Sequence, residues 1–371
     1  MYSQQEIDEA VAAGAINADT ATALRAYVER QRALPTPDEE QFRLITGFND
    51  IFVSIAAAIL LFAVGFIGQW IGQRTGSAID GDGPSYLAPL LIAATSWGLA
   101  LFFTAKRRMA LPSILLLLAF VISVFATVGM ALVLAVGPDM LDNNPQLAGI
   151  LGAVAASVAA GAAWLHWKRF RVPITVAAGA ASVAGIAVAL LVAALNPGPE
   201  TETPKNIILG FVLLLGVGTF LFAMWWDSSD RARITRRSDV AFWLHLLAAP
   251  MIVHPVFTLL GLNDGTATVG EGLVVILLYV VIGVTALAID RRALLVSALA
   301  YVLYALSELF KQVGAVELNI ALTALVIGSA LLLLSAYWHQ ARAMVVHRLP
   351  AGLRAHLPNL DRVAAIPEPA A

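Results

Sequence analysis

Ten nearly unbroken apolar stretches run along the chain, at about residues 50–71, 86–105, 111–136, 146–166, 173–195, 206–226, 239–261, 271–289, 293–310 and 316–338. Each is close to the ~20 residues an α-helix needs, at about 1.5 Å per residue, to cross ~30 Å of hydrocarbon. The pattern predicts an all-α fold: a polytopic membrane helix bundle of about ten transmembrane helices. It divides the chain into a helical hairpin over 1–34, a linker over 35–49, the ten-span domain over 50–338 and a tail over 339–371.

The polar connectors sort into two alternating classes. One holds the N-terminal region, Lys106-Arg107-Arg108, Lys168-Arg169-Phe170-Arg171, the run from Arg231 to Arg237, Arg291-Arg292 and the tail. Together these carry twenty of the 23 Lys and Arg. The other class has only Arg74, Lys205 and Lys311, and is otherwise acidic or neutral, with Asp80, Asp82, Asp139, Asp142, Glu200, Glu202 and Asp264. Translocating Lys and Arg is disfavoured, so both termini are expected in the cytoplasm and the chain in a bacterial inner membrane. Tryptophans agree: Trp164, Trp167, Trp225, Trp226, Trp243 and Trp338 all fall at the expected inner interface, Trp70 at the outer one, and Trp97 within the bilayer.

The first 32 residues read as two short helices. Ser3 and Glu6 have capping-box spacing, Gly14 ends the first helix, and Asn17 or Asp19 caps the second. Such a hairpin is too small for its own core. It is expected to dock on the bundle, on a second copy or on a cytoplasmic protein partner. No signal-peptide pattern is found in this polar start, so the first span is expected to act as an uncleaved insertion signal. The tail, with Arg342, His347, Arg348, Arg354 and His356 among apolar residues, suits a surface-lying amphipathic segment at anionic lipid or a frayed end.

Composition narrows the chemistry. At 59% hydrophobic and 13% charged residues, with a mean hydropathy of +0.80, the chain is far from soluble domains, which are about a quarter charged. Cys is absent, excluding disulfides, thiolate metal sites and cysteine nucleophiles. No cofactor, metal or nucleic-acid motif stands out, so the expected partner is the lipid bilayer.

Two spans carry unusual residues. The seventh holds Pro250 and Pro255 in its interior, with His245 and His254 beside them. Each proline frees a carbonyl four residues earlier, near Leu246 and Met251, which lipid does not tolerate unless protein, water or a ligand satisfies it. Broken helices of this kind line transport sites, and ionisable groups at membrane depth are functional candidates. A kink packed on a neighbouring helix explains the same residues without function. The ninth span places Tyr301, Tyr304, Glu308 and Lys311 on one helical stripe, either an interfacial anchor or a cavity wall. The candidate substrate-binding set is therefore His245, Pro250, His254, Pro255, Tyr301, Tyr304 and Glu308. Asp50 and Asp239 read as helix N-terminal caps, Asp80-Gly81-Asp82-Gly83 as a turn, and the small residues of spans four and five as the bundle centre.

The helical hairpin between Ile7 and Arg32, followed by Phe48-Asn49-Asp50-Ile51-Phe52-Val53 at the first span, resembles uncharacterised bacterial predicted-membrane-protein families, domains of unknown function. That resemblance implies a location and no chemistry. Ten spans with both ends inside also resembles the drug/metabolite transporter superfamily, built from two inverted five-span halves. This chain departs from that plan: Asp50 before the first span resembles Asp239 before the seventh, a weak likeness that pairs spans of the same orientation. Convergence explains it too, since every inward hairpin needs positive charge and a helix start. The leading expectation is a transporter of a small or lipid-like molecule. The alternative is a scaffold or sensor whose hairpin binds a partner. An enzyme ranks below both, since no nucleophile or metal set accompanies the histidines.

Overall fold

The computed structural model describes residues 11–24, 48–142, 144–197, 202–231, 233, 235–261, 269–312 and 317–358. Among these there is no named β-strand, and helices dominate, so the all-α class is as expected. Ten helices coincide with the ten apolar stretches. They are α1 (Phe48–Arg74), α2 (Leu87–Phe103), α3 (Ala110–Val136), α4 (Pro145–Phe170), α5 (Ile174–Leu195), α6 (Glu202–Ser228), α7 (Arg236–Leu259), α8 (Val269–Ile289), α9 (Ala293–Gln312) and α10 (Asn319–Ala336). Among the described residues, eight are long and apolar enough to cross a membrane; α2 is shorter at 17 residues. The chain is a multi-pass membrane protein.

The contacts divide it into two units, Arg43–Pro358 and Met1–Phe42 with Asn359–Ala371. Of the second unit, residues 11–24 are described. Gly14 takes the left-handed conformation (φ 71°), and the Asn17 carboxamide accepts from the Thr20 amide at 2.7 Å, so Asn17, rather than Asp19, caps the following helix. Ser3, Glu6 and the 35–42 linker segment lie outside the described residues.

Small residues set the packing. The buried stripe of α1 is Asp50, Ser54, Ala57, Leu61, Gly65, Gly68 and Gly72, whereas Phe52, Phe62 and Phe66 are exposed toward lipid. Lipid is as apolar as leucine, so close backbone approach replaces the hydrophobic effect as the reason to associate. A Cβ on Gly68 would lie 2.7 Å from the Leu87 carbonyl oxygen, and one on Gly149 would lie 2.6 Å from that of Ala189. The α4–α5 interface is accordingly the most extensive in the bundle.

Four apolar clusters follow one another. Ala57, Leu61, Ala100 and Leu116 join α1–α3; Leu117, Val121, Ala159 and Ile174 join α3–α5; Ala177, Ala223, Val240 and Leu244 join α5–α7. Val253, Phe257, Val275, Ala298, Val302 and Ile327 join α7–α10. Only α7 belongs to both of the last two. Half of its most apolar stretch is buried, against 39% for α4 and 17% for α5. The centre expected at spans four and five is therefore corrected: α4 and α5 pack closely, but α7 is the most enclosed helix.

The basic connectors share a device. Arg108, Arg171, Arg233 and Asp290, one in each connector from α2–α3 to α8–α9, are non-glycine residues with φ of 54–57°. At the other end, Gln69 accepts from the Ser85 amide at 2.9 Å and donates to the Gly83 carbonyl at 2.8 Å, closing the predicted turn at Asp80–Gly83. After α10 the chain continues as α11 (Trp338–His347), with Trp338, Arg342 and Val346 buried. The tail up to Pro358 thus belongs to the membrane unit.

Candidate functional site

The prolines of α7 do not interrupt it. The helix runs continuously from Arg236 to Leu259, correcting the expectation of a broken span. Thr235 precedes it, its hydroxyl accepting from the Arg237 amide at 3.3 Å, so Thr235 is the cap and Asp239 sits in the first turn. Pro255 leaves the Met251 carbonyl without its helical donor. That carbonyl meets α6 at Gly216, where an added Cβ would stand 2.9 Å from the Met251 backbone. A neighbouring helix shields the gap.

The two candidate sets meet at one seam. His254 Nδ1 and the Tyr301 hydroxyl share a 2.7 Å hydrogen bond between α7 and α9. Phe257 packs on the Tyr301 ring with centroids 4.5 Å apart. One turn apart on α7, Pro250 and His254 are both exposed, as is Tyr304 on α9. The Thr258 hydroxyl donates to the His254 carbonyl at 2.9 Å. Arg236 to His254 spans about 27 Å of helix axis at 1.5 Å per residue, which puts the pair inside the span, within two turns of its end. Pro255 is buried, and the side chain of Glu308 lies outside the described residues, as does its expected pairing with Lys311.

His245 is elsewhere. It is fully buried and its Nε2–H donates to Asp227 Oδ2 at 3.1 Å, while Phe220 lies edge-on at 5.2 Å. Asp227 stands in the last turn of α6, where the helix dipole disfavours a carboxylate. Two cations offset this. Arg291 grips it with Nε and Nη2, and Arg233 Nε stands 3.8 Å from Oδ1, while the same Arg233 reaches a second carboxylate, Asp290. That second carboxylate accepts from Arg233 at 3.1 Å and from the Trp338 indole at 2.8 Å, with Arg342 at 3.8 Å. Arg291 also donates to the Ser238 carbonyl at 3.0 Å, and Arg342 to that of Pro358 at 2.7 Å. The α6–α7 connector, α7, the α8–α9 connector, α11 and the chain beyond it are tied into one buried ionic cluster. Of these, sequence reading singled out His245 alone as a candidate site residue and named the arginines and Trp338 only for topology. An acid directly after two tryptophans at a helix C-terminus, Trp225-Trp226-Asp227, was the available signal.

A second buried histidine escaped sequence reading. His166 Nδ1 meets the Thr175 hydroxyl at 3.3 Å, and its ring packs against Phe170, Trp97 and Phe120 at centroid distances of 4.5–6.1 Å. This enclosure reads as packing between α2, α3 and α4. Among the described residues no group of three or more His, Asp or Glu could hold a metal ion.

These elements define a polytopic helical membrane protein with a partly exposed polar seam and a buried charge cluster at its basic end. No family model matches the chain, and neither a curated protein nor a solved structure does.

Proposed function

We propose that this is a multi-pass protein of the bacterial inner membrane, with both termini cytoplasmic, that moves a small or lipid-like molecule along the α7–α9 seam. The observation that carries this reading is the His254–Tyr301 pair, exposed inside the span beside Pro250 and Tyr304. Polar groups at membrane depth are disfavoured against lipid tails unless they meet a polar counterpart, and a passing headgroup is one. Pro255, buried beside the seam, and His245, held in the charge cluster, do not contact what moves.

The test uses vesicles containing the full chain and a phospholipid with a fluorescent headgroup, with dithionite reporting how much reaches the outer leaflet. Wild-type protein is expected to exceed protein-free vesicles. His254→Ala and Tyr301→Phe should insert normally but lose most of that excess. Equal rates in wild-type and empty vesicles would remove the lipid-like reading.

A second reading, a scaffold or sensor, is favoured by one observation: Met1–Phe42 and Asn359–Ala371 form a unit of their own. Deleting residues 1–34 separates the two. Lipid movement survives the deletion if the seam does the work.

A further inference from the structure

A cavity of about 150 Å³ opens between α8, α9 and α10. It shares no residue with the α7–α9 seam. Leu295 and Leu299 of α9 and Leu331 and Leu334 of α10 form its walls, and Arg292 and Trp338 stand at its basic end. The Arg292 guanidinium lies 4.9 Å over the Trp338 ring. Trp338 faces both ways, since its indole N–H holds Asp290 of the charge cluster. Tyr279 also lines the cavity, and its buried hydroxyl has no hydrogen-bond partner among the described residues.

Size and polarity choose the occupant. Pockets for drug-sized molecules run to about 300–1,000 Å³, so a soluble ligand of that size does not fit. At about 30 Å³ per water-sized group, the space takes roughly five, a segment of one acyl chain. Leu331 to Trp338 covers about 10 Å of axis, from the basic end into the hydrocarbon. Val296, on the rim, is 65% exposed, so a chain can enter sideways from the bilayer. A guanidinium at the interface end complements a phosphate, and basic pockets between membrane helices favour acidic headgroups.

We infer that this cavity is a binding site for one acidic phospholipid of the surrounding bilayer, its phosphate on Arg292 and part of one acyl chain between α9 and α10. The site ties lipid charge to the Trp338–Asp290 contact, and hence to the seating of α11.

The test is the melting temperature of the detergent-solubilised full chain with phosphatidylglycerol, with phosphatidylcholine of the same acyl chains, or with inorganic phosphate. Phosphatidylglycerol should raise the melting temperature by several degrees more than phosphatidylcholine, and phosphate should do nothing. Arg292→Gln should at least halve the preference, and Val296→Trp, a lipid-facing change that fills the mouth, should abolish it. Arg107→Gln, in another basic connector, should leave it intact. Equal shifts with both lipids, a preference undiminished in Arg292→Gln and Val296→Trp, or one lost equally in Arg107→Gln, overturns the site.

Discussion

Asp227 carries more of the fold than any residue the seam contains. It is fully buried, and Arg291, Arg233 and His245 all converge on it. Replacing a whole buried ion pair by apolar groups is often neutral, but stranding one partner costs about 3–5 kcal/mol. Asp227→Asn keeps the shape and removes the charge, leaving Arg291 without its counter-ion. It should lower the melting temperature far more than Asp139→Asn on the opposite connector. His245→Ala belongs with Asp227→Asn: its expected effect is lost stability, read in the same melt, with fluorescent-lipid movement falling only as folded protein falls. His254→Ala should show the opposite pattern.

Helix contacts in this bundle are decided by what is missing. Gly216 admits the Met251 backbone of α7, and valine there would overpack by about 1–3 kcal/mol. Gly218, two residues on, has nothing within 4 Å of its added Cβ. Gly218→Val should therefore melt like wild type while Gly216→Val melts well below it; equal melting of the two would mean α6 and α7 do not approach as described. The same reasoning explains why α7 stays helical through two prolines. Pro255 is covered, and the Met251 carbonyl that it frees is met by α6 at Gly216. Proline spacing was legible in the sequence. Whether the helix would break was not, because that depends on what α6 presents at Met251.

The chain as a whole is organised by its basic end. Trp338 and Arg342 reach Asp290 from α11, so deleting residues 338–371 should destabilise the protein while deleting 359–371 leaves its melting unchanged. Absence of cysteine makes topology directly measurable. Arg107→Cys and Arg169→Cys should label from one side of the membrane, and Asp82→Cys and Asp139→Cys from the other. The same connectors show a division of labour that composition could not reveal. Arg107 and Lys168 cover Phe102 and Trp164, as exposed cations do, whereas Arg233, Arg291 and Arg342 are 2–3% exposed and paired. Charge acts on insertion before packing exists, so both kinds count equally in the alternation of connectors.

Hydropathy was enough to place ten helices in the sequence, because a helix fit to span is long and apolar whatever it packs against. Faces were not readable. With lipid outside and small residues inside, both sides of α1 or α5 are apolar, and periodicity has nothing to contrast. Which helix became central, that His254 met Tyr301 while His245 met Asp227, and that three cations, two in connectors and one on α11, ended up buried were settled by contacts between distant segments. Those contacts depend on backbone approach and on partners 18 to 64 positions away in the chain, and no local pattern encodes them.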